Sequence, residues 1–121
     1  MDKIFIVGMP GSGKSTMARY LCSKTKFNYF DLDEEIEKNS QKSITEIFRG
    51  EGEDYFRSLE TKFLKEIIEK EKKFILSTGG GTPCFNKNME VMKKNGITIF
   101  LNTSINTLIE RVSRKNKRPL F

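Results

Sequence analysis

Histidine is absent from this 121-residue chain, and cysteine occurs only twice. Without an imidazole there is no histidine acid–base catalysis, and Cys22 and Cys84 lack the paired spacing of a metal site, so zinc chemistry is excluded. Both thiols read as small buried side chains. Long apolar runs are missing too. Ile4 to Val7 and Phe74 to Leu76 are strand-sized, far short of the roughly 20 residues of a transmembrane helix, and no membrane partner is expected. The opening "MDKIFIVG" has neither the basic and apolar regions of a signal peptide nor the arginine-rich pattern of a transit peptide, so a cytoplasmic location is expected. Repeats and low-complexity tracts are absent.

With 36% hydrophobic and 31% charged residues, the composition suits one globular domain with a single core. The net charge of +6 raises nucleic acid as a partner, although polyanionic small molecules serve equally. Much of the excess lies in "RVSRKNKRP", where Arg111, Arg114, Lys115, Lys117 and Arg118 have no acid among them. No aromatic residues are interleaved there to stack on single-stranded bases.

"IFIVG" (4–8) reads as a buried strand, and "KSTMARYLCSK" (14–24) as a helix with an apolar stripe. "NYFDLD" (28–33) reads as a second strand ending in acids, followed by a helix to about residue 39. Ser43 and Glu46 have capping-box spacing for a further helix, ended by Gly50 and Gly52. From about 53 to 70, Phe56, Leu59, Phe63, Leu64, Ile67 and Ile68 share one face of a long helix. Residues 74–77 form a third strand, 86–94 a helix, "GITIFLN" (96–102) a fourth strand, and a last helix runs from about 104. The alternation predicts an α/β fold: a central parallel sheet flanked by helices in three layers, with ligands at the strands' C-terminal ends.

"GMPGSGKS", Gly8 to Ser15, matches G-x-x-x-x-G-K-[ST] between a predicted strand and a predicted helix, the context that gives the motif its meaning. Successive backbone N–H groups cradle phosphate oxygens at the positive end of a helix. Lys14 supplies a mobile charge to the β- and γ-phosphates, and Ser15 offers an oxygen to Mg²⁺. The chain is therefore expected to bind a nucleoside triphosphate.

The fate of the γ-phosphate depends on a second site. An ATPase or GTPase activates water, and a G protein usually carries guanine-reading motifs, which are not found here. Where this class expects a magnesium-holding Asp at a strand end, the third strand ends in Ser77 and Thr78. Asp31 and Asp33 provide acids instead, and two residues apart on an extended chain they point to the same side. Asp31 then supports the metal and Asp33 faces an incoming hydroxyl; the plainer alternative is that both are loop acids or helix caps. In "FILSTGGGTPC", Gly79, Gly80 and Gly81 follow a buried strand, which implies unusual dihedrals or something approaching the main chain closely.

"GMPGSGKST", "DLD", "FR" at 56–57, "TGGG" at 78–81 and "RP" at 118–119 occur in the order found in shikimate kinases, and the chain resembles that family over essentially its whole length. The resemblance implies a P-loop kinase of the nucleoside monophosphate kinase type, using ATP and Mg²⁺ to phosphorylate the 3-hydroxyl of shikimate. It implies ATP contacts along Gly11, Ser12, Gly13, Lys14, Ser15 and Thr16, with Arg111 near the adenine and Arg118 a lid arginine on the transferred phosphate. Asp33 holds ring hydroxyls and assists proton removal, Arg57 clamps the carboxylate, and the ring lies against the bare main chain of Gly79, Gly80 and Gly81. Asp31 and Ser15 stand on the metal side.

Family members continue beyond "RP" with the rest of the lid, a further carboxylate-binding arginine, a helix, a fifth strand and an adenine-contacting loop. These 121 residues are accordingly expected to be a single kinase domain lacking its C-terminal strand. A small-molecule acceptor, no nucleic acid and a monomer are expected. The alternatives are a related kinase for another polyol acid such as gluconate, or a non-catalytic nucleotide-binding module.

Overall fold

In the computed structural model, residues 2–9 and 11–101 are described. Strand β1 (Lys3–Gly8) leads through the glycine loop into helix α1 (Lys14–Thr25), then β2 (Asn28–Asp31). Three helices follow, α2 (Leu32–Ser40), α3 (Ile44–Glu51) and α4 (Glu53–Lys70), before β3 (Phe74–Thr78). A 3₁₀ turn over Thr82–Cys84, helix α5 (Asn88–Asn95) and β4 (Ile97–Leu101) complete the described chain.

The four strands form one sheet in the order β2-β3-β1-β4, and every pairing is parallel. Alternation along β1 sends its side chains to two cores. Ile4 and Ile6 pack with Ile75 and Leu101 against Met17, Ala18 and Leu21 of α1. On the opposite face Phe5, Val7, Phe74 and Leu76 pack with residues of α2, α3, α4 and α5, among them Leu32, Ile36, Ile47, Leu64 and Met92. Phe5 and Phe74 meet edge to face with ring centroids 5.6 Å apart. The expected parallel sheet with helices on both faces is thus observed, and β3 is buried along its whole length.

This order places the functional loops. From β1 the chain crosses to β2 on one side, whereas from β3 it crosses to β4 on the other. The loops after the adjacent strands β1 and β3 therefore diverge and leave a crevice at their C-terminal ends, where doubly wound sheets bind ligands.

Three details differ from the sequence-based reading. The second strand stops at Asp31, because Leu32 turns into the core as the first residue of α2 and the Asp31 side chain caps that helix. Gly50 lies inside α3, and only Gly52, at φ +89°, ends it. Cys84 is exposed and Cys22 only half-buried, so neither is the buried thiol expected. The capping box forms as expected: Ser43 Oγ accepts from Glu46 N–H at 3.1 Å, and Glu46 Oε1 accepts from Ser43 N–H at 2.9 Å.

Candidate functional site

Glycine at the P-loop answers a backbone demand. Gly11 (φ +82°) and Gly13 (φ +100°) are left-handed, a conformation that side chains bearing a Cβ rarely adopt. Gly13 is also the N-cap of α1, and no side chain caps that helix end, so its first N–H groups face the loop. Two hydroxyls there are buried without a hydrogen-bond partner, Ser12 Oγ and Thr16 Oγ1. Unpaired buried donors beside an uncapped helix start are the surroundings an oxyanion needs, so these residues fit a bound triphosphate. Lys14 leans across the crevice and donates from Nζ to the Thr78 carbonyl at 3.0 Å, joining the P-loop to the end of β3. Ser15 is exposed on the first turn of α1.

Asp31 and Asp33 do not share one side of a strand. Asp31 is the N-cap of α2, its Oδ1 accepting from Glu34 N–H at 3.1 Å, and Asp33 sits in the first helical turn. Burial pushes the Asp33 carboxyl above its ordinary value, the neighbouring Asp31 charge adds to the rise, and Lys14 pulls the other way. The carboxylate of Glu60 raises it further. Asp33 therefore feels both the P-loop lysine and the acid that holds Arg57.

Arg57, on α4, is largely buried. Its Nη1 donates to Glu60 Oε1 at 2.9 Å, its Nε lies 3.5 Å from Glu53 Oε2, and its guanidinium carbon sits 4.1 Å from the centroid of the Phe85 ring. This makes it unlike a solvated helix arginine, since planar stacking and a buried carboxylate fix its fork. The third nitrogen, Nη2, faces the glycine run: a Cβ added at Gly81 would stand 3.0 Å from it. At Gly80 an added Cβ would meet Met9 Sδ at 2.7 Å, and at Gly79 nothing would come closer than 3.9 Å. None of the three has a positive φ. Close approach is therefore what Gly80 and Gly81 serve, and at Gly81 the approaching group within the chain is Arg57.

Glu60 was not among the sequence-predicted site residues. It is 1% exposed, and its spacing of three from Arg57 on a face shared with Phe56, Phe63 and Leu64 was the available signal. Ser77 was passed over as well: its Oγ accepts from the Tyr29 hydroxyl at 2.8 Å, a bond between side chains 48 residues apart that no local pattern reveals. Burial raises the Tyr29 hydroxyl above its ordinary value, so it stays a donor.

No group of three His, Cys, Asp or Glu side chains placed to hold a metal occurs among the described residues. A magnesium ion that keeps several waters and phosphate oxygens needs only one or two protein groups, and the Ser15 hydroxyl and Asp31 carboxylate are oxygen donors of the kind it takes. Arg111 and Arg118 lie outside the described residues.

Residues 10–121 match the family model described as "Shikimate kinase". Among curated relatives, the shikimate kinase of Azobacteroides pseudotrichonymphae is 46% identical over all of this chain and 72% of its own length. That of Persephonella marina is 43% identical, with 73% of its length covered. Among solved structures, shikimate kinase from Acinetobacter baumannii in complex with shikimate superposes with a TM-score of 0.79 at 37% identity, covering 99% of this chain and 66% of that one. Shikimate kinase from Bacteroides thetaiotaomicron gives a TM-score of 0.79 at 40% identity, covering 98% of this chain and 67% of that one. The P-loop, Asp33, Arg57 and the glycine run thus sit in a chain whose likeness to these proteins runs along its whole length, and the chain belongs to the shikimate kinase family, phosphotransferases that use ATP and Mg²⁺ to form shikimate 3-phosphate.

Proposed function

We propose that the chain performs its family's reaction in the crevice between β1 and β3, with the phosphate donor on the P-loop and shikimate over the glycine run. The observation that supports this most directly is the hydrogen bond from Lys14 Nζ to the Thr78 carbonyl at 3.0 Å, which holds the P-loop lysine at the residue before the glycine run. Donor and acceptor sides then meet in one crevice.

ATP supplies the phosphoryl group, and Mg²⁺ neutralises the charge on its phosphates. Main-chain N–H groups of Gly11 and from Gly13 to Ser15, with the Ser12 and Thr16 hydroxyls, orient the phosphates, the Ser12 N–H being taken by the Met9 carbonyl. Lys14 exchanges the Thr78 carbonyl for phosphate oxygens. Ser15 and Asp31 Oδ2, left over from the cap, stand on the metal side. Asp33 accepts a hydrogen bond from the 3-hydroxyl and takes its proton as the oxygen attacks; its raised affinity for protons suits that task. Arg57 offers Nη2 to the substrate carboxylate, since Nη1 is taken by Glu60. Gly79, Gly80 and Gly81 present bare main chain to the ring. Arg118 on the transferred phosphate and Arg111 near the adenine complete the assignment.

The described chain contains no helix long and apolar enough to cross a membrane. We further propose a single domain working as a cytoplasmic monomer, because donor and acceptor sides both come from one chain. ADP release with shikimate, with gluconate and with neither tests the reading. Release above background with shikimate alone is expected; equal release with gluconate indicates a broader polyol-acid kinase, and ATP binding with no release indicates a non-catalytic nucleotide module.

A further inference from the structure

Arg57 is held by more than its own helix. Glu60 Oε1 accepts from Arg57, while Glu60 Oε2 accepts from the Thr82 hydroxyl at 2.6 Å. Thr82 is itself fully buried and opens the 3₁₀ turn directly after the glycine run. Its carbonyl accepts from Asn88 Nδ2 at 3.0 Å, and Asn88 Oδ1 accepts from the Thr61 hydroxyl at 3.0 Å, back on α4. Asn88 is 0% exposed. A last strap is Asn86, whose Nδ2 reaches both Thr61 Oγ1 at 3.1 Å and the Arg57 carbonyl at 3.3 Å. Asn86 and Lys87 adopt consecutive left-handed conformations, at φ 49° and 60°, an uncommon arrangement that the straps hold in place.

A buried carboxylate needs its oxygens satisfied, and Glu60 has one donor from each side of the crevice wall: Arg57 from α4 and Thr82 from the loop. The orientation of its carboxylate plane is therefore set jointly by the helix and by the loop that carries the glycines. We propose that Thr82, with Asn88 behind it, is a positioning residue for substrate binding: through Glu60 it fixes the Arg57 fork against Gly81 at the angle that meets the substrate carboxylate. This rests on the assignment of Arg57 as the carboxylate clamp. Hydrogen bonds chained through buried side chains orient one another, so loss of the Thr82 donor is felt at the Arg57 end of the chain.

The test pairs Thr82→Val, which keeps the shape and removes the hydroxyl, with Thr82→Ser, which restores the donor. Shikimate and ATP affinities are measured by calorimetry, and the Arg57 Nε–H resonance is followed by ¹⁵N NMR without ligand. Thr82→Val is expected to weaken shikimate binding by about tenfold or more, as for loss of a bond to a buried charge. Its ATP affinity is expected to stay within about twofold, and its Arg57 resonance to move; Thr82→Ser returns both shikimate affinity and resonance to those of the parent. Asn88→Ala is expected to shift the same resonance in the same direction. An unmoved Arg57 resonance in Thr82→Val overturns the proposal, whether or not shikimate binds. Equal losses for both ligands, or a Thr82→Ser variant that resembles Thr82→Val, also overturn it. If the parent chain binds ATP but not shikimate, the clamp assignment fails, and the NMR comparison alone decides whether Thr82 positions Arg57.

Discussion

Lys14 Nζ and the Thr78 carbonyl oxygen stand 3.0 Å apart, a bond that ties the P-loop to the end of the neighbouring strand. The lysine is thereby extended across the crevice, where the phosphates of a bound nucleotide are proposed to lie, and it has one acceptor to give up on their arrival. Lys14→Ala removes the charge and leaves that carbonyl without its donor. Calorimetry is expected to show weakened ATP binding, and kcat to fall by about 10²–10³-fold, the scale for losing a preorganised charge contact in a transition state. Unchanged ATP affinity would separate Lys14 from the phosphates.

Asp33 carries a pH signature. Burial and the Asp31 charge raise its carboxyl above the ordinary value of 3.8 despite Lys14, so the folded chain holds the proton more tightly than the unfolded chain does. That contribution to stability is fully present below the unfolded value and is lost as pH rises through the folded one. At neutral pH the ionised group is a burden that Asp33→Asn removes. Thermal melting is expected to show Asp33→Asn above the parent at pH 7, with the gap closing below about pH 3.8. The same variant is expected to lose about 10²–10⁴-fold in kcat while still binding ATP. A variant melting below the parent at pH 7 contradicts the sign.

Arg57 separates the two ligands. Arg57→Ala is expected to weaken shikimate binding by at least tenfold, roughly the 1.5–3 kcal/mol of a hydrogen bond to a charged group, with ATP binding little changed. Arg57→Lys is expected to recover only part of the loss, since an ammonium cannot reproduce a planar fork stacked on Phe85. Equal losses for shikimate and ATP in Arg57→Ala would remove the carboxylate role.

The glycines are expected to differ among themselves. Gly81→Ala places a methyl 3.0 Å from Arg57 Nη2 and displaces a side chain pinned by Glu60, whereas Gly79→Ala meets nothing nearer than 3.9 Å. Melting temperature is expected to fall by a few degrees in Gly81→Ala, about 1 kcal/mol of strain, and to hold in Gly79→Ala. Equal melting of the two would mean that Arg57 yields freely.

Much of this was legible in the sequence because it is encoded locally. The P-loop is a contiguous motif, the capping box at Ser43 is a four-residue pattern, and the apolar face of α4 repeats at helical spacing. Asp31 and Asp33 stand out in the sequence as acids, but their geometry differs from the extended reading, because whether "DLD" stays extended depends on Leu32 finding the core. The bonds from Glu60 to Thr82 and from Tyr29 to Ser77 span 22 and 48 residues, so they exist only once the sheet has ordered its strands. Gly81 illustrates the middle case: a need for bare backbone was readable, while Arg57 as the group that comes close was not.

The most direct test is ³¹P NMR of the chain mixed with ATP, Mg²⁺ and shikimate. A phosphomonoester signal growing in step with ADP, and identified as shikimate 3-phosphate, is the expected result. ADP accompanied only by inorganic phosphate, or a phosphate ester at another hydroxyl, would contradict the placement of the 3-hydroxyl between Asp33 and the P-loop.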